Sequence, residues 1–143
     1  MTIARLIEGQ KDRPIIHVSI TTPVQEAVDL LASQRIGALP VMDGHAIAGI
    51  FSERDVIHQL RAHGPSMLDK LVGQVMTSPA ITVEPTTGAL EALELMTVRR
   101  IRHLPVLKAG RMVAFVSIGD LVKYRIERIQ SEAEAMRDYI QTA

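Results

Sequence analysis

The chain of 143 residues has no cysteine and no tryptophan, and its aromatics are limited to two Phe and two Tyr. Without cysteine there is no disulfide framework, no thiolate metal site and no thiol nucleophile, while the redox compartment is left open. Phe51, Phe115, Tyr124 and Tyr139 are too few for the stacking platform that single-stranded nucleic acid requires. Charge of one sign is also missing. With 16 Lys and Arg against 16 Asp and Glu, no whole-molecule field draws the chain to nucleic acid or to an acidic membrane surface. No apolar run approaches the roughly 18 residues of a membrane helix, and the opening "MTIARLIEGQKDRP" lacks the continuous apolar stretch of an export signal. A cytoplasmic location is therefore expected, with neither membrane nor nucleic acid as partner. Gly-x-Ser-x-Gly, the P-loop, His-Glu-x-x-His and Gly-x-Gly-x-x-Gly are all absent, so no catalytic activity is expected. His17, His45, His58 and His63 show no ligand spacing with a carboxylate, and no metal is expected either.

Apolar content is ample, at 47%, for one ordinary domain or two very small ones sharing a core. The chain also repeats itself. Shifted by 65 positions, residues 16–57 align with 81–122 without a gap, and 14 of the 42 pairs are identical. Ordinary composition alone would give about three. The identities cluster at Val18 and Val83, Thr21-Thr22 and Thr86-Thr87, Leu39-Pro40-Val41 and Leu104-Pro105-Val106, Ser52 and Ser117, and Asp55 and Asp120.

Periodicity changes in the same order within each copy. Ile16-His17-Val18 and Ile81-Thr82-Val83 read as short strands running into Thr-Thr. A helix follows, with Thr22 as N-cap, Pro23 at the first helical position and Gln25 completing a capping box. Val24, Ala27, Val28 and Leu31 recur at helical spacing, as do Ala89, Ala92, Leu93 and Met96. "ALPVM-DGH-AIAGIF" and "HLPVL-KAG-RMVAFV" then read as hairpins, with Asp43-Gly44 and Ala109-Gly110 at the bends. A second helix starts at each Ser. Each copy is thus β-α-β-β-α and too small to be stable alone, so the two are expected to pack about a pseudo-twofold axis. The fold class is α/β (α+β). Residues 1–13 form an N-terminal helix or arm, 14–63 the first repeat, 64–75 a linker, 76–123 the second repeat and 124–143 a C-terminal helix.

"GIFSERD" and "AFVSIGD" close the two copies with Ser-x-x-Asp at a helix start. Such a sequence caps the helix, an effect worth about 1 kcal/mol. The same terminus also attracts anions, because its free N–H groups and positive dipole end suit a phosphate. Geometry alone leaves both roles open. Past the second copy, Val122, Ile126, Ile129, Ala133, Met136 and Ile140 fall on a heptad seam. Together with an N-terminal helix near Ile3, Leu6 and Ile7, this helix either covers the chain's own core or supplies a dimer contact.

Two copies of strand, Thr-Thr, helix, "IGALPV" or "IRHLPV", hairpin, and "GIFSERD" or "AFVSIGD" resemble a tandem pair of CBS domains, a Bateman module, over roughly residues 14–123. The resemblance implies a regulatory module without catalysis that takes an adenosine nucleotide such as AMP, ATP or NAD in two sites. It also implies a homodimer and a separate effector protein, still unidentified. By that resemblance Ser52 and Asp55 form one site, Ser117 and Asp120 the other, with each Ser near phosphate and each Asp on the ribose hydroxyls. An ionised Asp suits vicinal hydroxyls because it accepts from both. Adenine is expected against Ile16 and Ile36 in copy one, and against Thr77, Ile81 and Ile101 in copy two. Arg102 and His103 match a basic pair aimed at phosphate, where copy one has Gly37-Ala38. Arg54 is expected to join them around shared phosphate space, making the two sites unequal. The alternative is a ligand-independent dimeric interaction protein in which the caps are only caps.

Overall fold

The computed structural model describes residues 2–142; Met1 and Ala143, the outer ends of the expected arm and C-terminal helix, lie outside them. In chain order the elements are α1 (Ile3–Glu8), β1 (Val18–Ser19), α2 (Val24–Gln34), β2 (Ala38–Asp43), β3 (Ala46–Ser52), α3 (Glu53–His63), a 3-10 turn (Gly64–Asp69), α4 (Val72–Val75), α5 (Ala89–Arg99), β4 (His103–Lys108), β5 (Arg111–Ser117) and α6 (Ile118–Thr142). β1 pairs parallel with β2, and β2 antiparallel with β3. In the second copy β4 and β5 form the equivalent hairpin. Both hairpins shift register at the same place, between Val41 and Met42 and between Val106 and Leu107. Ala109 and Gly110 form the second bend with φ of 52° and 78°, the left-handed pair that a two-residue I′ turn demands.

The first strand is weaker in copy two for a covalent reason. In copy one Ile20 donates its N–H to Met42 O at 3.1 Å, extending the ladder begun at Val18. The equivalent of Ile20 is Pro85, which has no N–H to give. The expected second-copy strand therefore shrinks to a single bridge between Val83 and Val106.

The Thr-Thr pair also differs from expectation. Pro23, not Thr22, occupies the N-cap of α2, and no side chain caps that helix. Thr22 instead closes the preceding turn, its Oγ1 accepting from Ser19 N at 3.0 Å while its own N–H donates to Ser19 O at 3.0 Å. Thr87 does the same to Glu84, with Oγ1 accepting at 3.2 Å. The open N–H of Val24 is satisfied from elsewhere, by Lys70 O at 2.8 Å.

Lys70 belongs to the segment leading into copy two, and this exchange is general. Met67, Val72 and Val75 from that segment are buried in the core of copy one, with Val18, Val24, Leu39, Val41 and Phe51. Reciprocally, Ile3 and Leu6 of α1, which lead into copy one, are buried in the core of copy two, with Met96, Leu104, Val106, Val116 and Leu121. Backbone bonds lock both exchanges at the Thr-Thr turns. Val72 N donates to Thr22 O at 2.8 Å, and Ile3 N donates to Thr87 O at 2.9 Å. Each copy is thus closed by the lead-in of the other, a reciprocity that a twofold relation between them requires.

The last helix continues without a break from the closing helix of copy two. α3 ends at Gly64, where φ is 69°, and Pro65 follows. The equivalent positions in α6 hold Ile129 and Gln130, so nothing stops the helix. It runs unbroken for 25 residues from Ile118. Only Leu121 of it is buried, so the N-terminal helix covers core but the seam beyond Tyr124 does not.

Candidate functional site

β3 delivers Ser52 to the mouth of α3 in extended conformation, and a capping box forms there. Ser52 Oγ accepts from Asp55 N at 3.4 Å, and Asp55 Oδ2 accepts from Ser52 N at 2.8 Å and from Ser52 Oγ at 3.1 Å. Copy two repeats this: Asp120 Oδ2 accepts from Ser117 N at 2.9 Å, and Ser117 Oγ accepts from Asp120 N at 3.1 Å. The inner oxygen of each carboxylate is therefore occupied by its own helix mouth. The outer oxygen is not. Asp55 Oδ1 accepts from Thr77 Oγ1 at 2.8 Å, and Asp120 Oδ1 lies 3.5 Å from Arg13 Nη1.

Thr77 and Arg13 stand in equivalent segments, each leading into the opposite copy, so each carboxylate meets a residue brought in by the exchange. Thr77, expected with copy two, stands on the Asp of copy one. Arg13 lies outside the repeat, which begins at Ile16 in the 65-residue alignment.

The two arrivals are held differently. Thr77 is pinned to β3 by a reciprocal backbone pair with Ile50, both bonds 2.9 Å. The approach demands Gly49, since a Cβ there would lie 2.5 Å from Thr77 O and 2.9 Å from Met76 Sδ. The equivalent position in copy two is Ala114, and among the described residues no strand pairing ties Arg13 down. A short hydroxyl on a fixed strand faces one aspartate; a long guanidinium on an irregular segment, 66% exposed, faces the other.

β3 and β5 bring the two copies together. His103 stacks on Phe115 with ring centroids 5.4 Å apart. Across the junction its Cε1 is 3.5 Å from where a Gly37 side chain would begin, and Glu53 Cδ is 3.8 Å from the same point. Burial pushes the His103 imidazole below its ordinary pKa, opposed by Asp120 and Glu53 and assisted by Arg102. Arg54 Nη1 donates to Arg100 O at 3.0 Å, satisfying a carbonyl at the left-handed end of α5. Arg102 is exposed, its carbonyl accepting from Ile118 N at 2.8 Å. Glu53, not singled out from sequence, adds an acid to the space.

Ile16 and Ile36 pack half-buried on the first core, Ile81 and Ile101 on the second. They offer apolar edges on their own copies. A separate open depression of about 590 Å³ is lined by Glu84, Glu91, Glu94 and Arg99 among others, and no expected site residue belongs to it. Among the described residues no cluster of three His, Asp or Glu suits a metal ion, and no helix is long and apolar enough to cross a membrane.

The CBS domain family model matches residues 11–62 and again 72–127. The chain is a CBS-domain pair. CBS domain-containing protein CBSX3, mitochondrial, from Arabidopsis thaliana is 39% identical over 123 residues, which cover 82% of this chain but 60% of that relative. The CBS-domain protein of Burkholderia ambifaria MC40-6 superposes with a TM-score of 0.82 at 40% identity, over 89% of this chain and 95% of that one. CBSX2 in complex with AMP shares the fold, with a TM-score of 0.75 at 24% identity over 88% of this chain and 96% of that one.

Proposed function

We propose that this CBS pair is a regulatory module that binds an adenosine nucleotide, AMP, ATP or NAD, at the mouths of α3 and α6, and performs no chemistry of its own. The observation that carries the reading is the state of the two carboxylates. Each keeps one oxygen on its own cap and turns the other toward a residue from the opposite half. A ribose diol would replace Thr77 Oγ1 on Asp55 or the Arg13 guanidinium on Asp120, and the helix mouth would take the adjoining phosphate. Because Thr77 and Arg13 come from the exchanged lead-ins, such a replacement bears on the packing between copies. Occupancy would thus reach a partner copy in a homodimer, and through it a separate effector protein in the cytoplasm. Arg13 and Arg102, both exposed, make the α6 site the better host for a highly charged ligand. The α3 site, with Thr77 and Glu53 beside it, suits fewer phosphates. That CBSX2 is known with AMP bound shows that the fold as such can hold an adenylate.

One observation favours a second reading, a ligand-independent interaction protein: both aspartates already complete capping bonds. A thermal-shift panel with AMP, ATP, NAD and GTP separates the two. At a hundred times its dissociation constant a ligand adds about 2.7 kcal/mol, roughly 5–10 °C for a domain of this size. The binding reading predicts such a shift for wild type, reduced in Asp55→Asn and Asp120→Asn. If no nucleotide moves the melting temperature of any form, the caps are only caps.

A further inference from the structure

We infer that α6 pairs with α6 of a second copy of this chain as a parallel, in-register coiled coil through Ile126, Ile129, Ala133, Met136 and Ile140. The inference rests on the homodimer in the proposed function and is independent of the nucleotide. The CBS model ends at residue 127, whereas α6 continues to Thr142, so this segment is additional to the repeat. Its inward face is already in use. Leu121 is buried, and Tyr124, Glu127, Arg128 and Ser131 line a groove against Arg5 and Glu8 of α1. The seam lies on the opposite side. Ile126 and Ile129 are each 50% exposed, Met136 60% and Ile140 67%. Spacing of four and three is the period that two helices coiling around each other keep in register along one seam.

Charge identifies the occupant and its direction. With Ile126, Ala133 and Ile140 at position a and Ile129 and Met136 at d, Glu132 falls at g and Arg137 at the next e. In a parallel pair, g of one helix meets the following e of its partner. Glu132 therefore meets the partner copy's residue 137, an arginine, and the contact occurs twice around the twofold. Arg125 at g meets only Gln130 at e. The fully overlapping antiparallel alignment instead opposes Lys123 to Arg137 and Glu132 to itself, like charges in both places. Glu132 also lies 3.8 Å from Arg128 Nε on its own helix, yet its side chain is 66% exposed and free to bridge outward. Both halves of the contact reside on one helix, which makes the surface self-complementary.

The cysteine-free chain makes the test direct. Met136→Cys and, on the opposite face, Ser131→Cys are each oxidised in the full-length protein and followed on non-reducing gels. Parallel pairing brings two position-d residues within disulfide reach, so Met136→Cys should cross-link at least tenfold faster than Ser131→Cys. Sedimentation then measures the dimer: Arg137→Glu should raise its dissociation constant several-fold, and Glu132→Arg combined with Arg137→Glu should restore it. Equal cross-linking rates, or an Arg137→Glu dimer as tight as wild type, would overturn the coiled coil while leaving a dimer built elsewhere. A wild type that sediments as a monomer at all concentrations would remove the homodimer as well.

Discussion

At the scale of single residues, Ser52 and Asp55 satisfy each other before any ligand arrives, and the same holds for Ser117 and Asp120. Cap and ligand contact are separable because they use different carboxylate oxygens. Ser52→Ala should therefore lower stability by about 1 kcal/mol, read as a shift in the urea midpoint. Asp55→Asn keeps an acceptor for Ser52 N and should cost less, yet abolish nucleotide binding at that mouth. His103 adds a pH dependence. Its folded pKa is depressed by burial, so the unfolded chain binds its proton more readily. Stability is then fully present above the ordinary His value of about 6.5 and falls as pH drops through it, levelling off below the folded value. His103→Gln should flatten that part of a stability–pH profile. A phosphate near this imidazole would favour the proton, so phosphorylated ligands should bind more tightly towards pH 6 and show proton uptake in calorimetry. Arg13 beside Asp120 and Glu53 beside His103 were not visible in the sequence as neighbours of these groups. Arg13 lies before the repeat begins, and Glu53 reads as an ordinary first-turn acid.

At the scale of elements, the order β-α-β-β-α in copy one and its α-β-β-α part in copy two were legible because apolar spacing and the Leu-Pro-Val hairpins are local signals. The misses came from contacts distant in sequence. Thr22 reads as a cap because Pro23 and Gln25 follow it, but Lys70 O takes the N–H of Val24 and leaves Thr22 to its own turn. The missing β1 equivalent in copy two was readable at Pro85, whose absent N–H removes one ladder bond. Gly49 carries a sharper consequence. A methyl there meets backbone at 2.5 Å, so Gly49→Ala should destabilise by about 1–3 kcal/mol and loosen Thr77 from Asp55. Ala114→Gly at the equivalent place lacks that steric conflict and should cost no more than about 1 kcal/mol. Chemical unfolding of both variants checks the contrast.

At the scale of the molecule, the repeat announced two similar units, but not that each is completed by the segment leading into the other. That exchange leaves no periodic signature, since Ile3, Leu6, Met67, Val72 and Val75 sit outside the aligned stretch. It predicts cooperative unfolding. Ile3 is fully buried in the second core, so Ile3→Ala should cost about 2–5 kcal/mol and lower one common transition, with copy one falling together with copy two. Unequal arrivals at the two carboxylates further predict unequal affinities. Isothermal titration of the full-length chain with AMP and ATP, alongside Asp55→Asn, Asp120→Asn and the double variant, measures this most directly. The account predicts two sites of different affinity per chain, one remaining in each single variant and none in the double. Heat that persists unchanged in the double variant, or no heat from any adenylate in wild type, would contradict it.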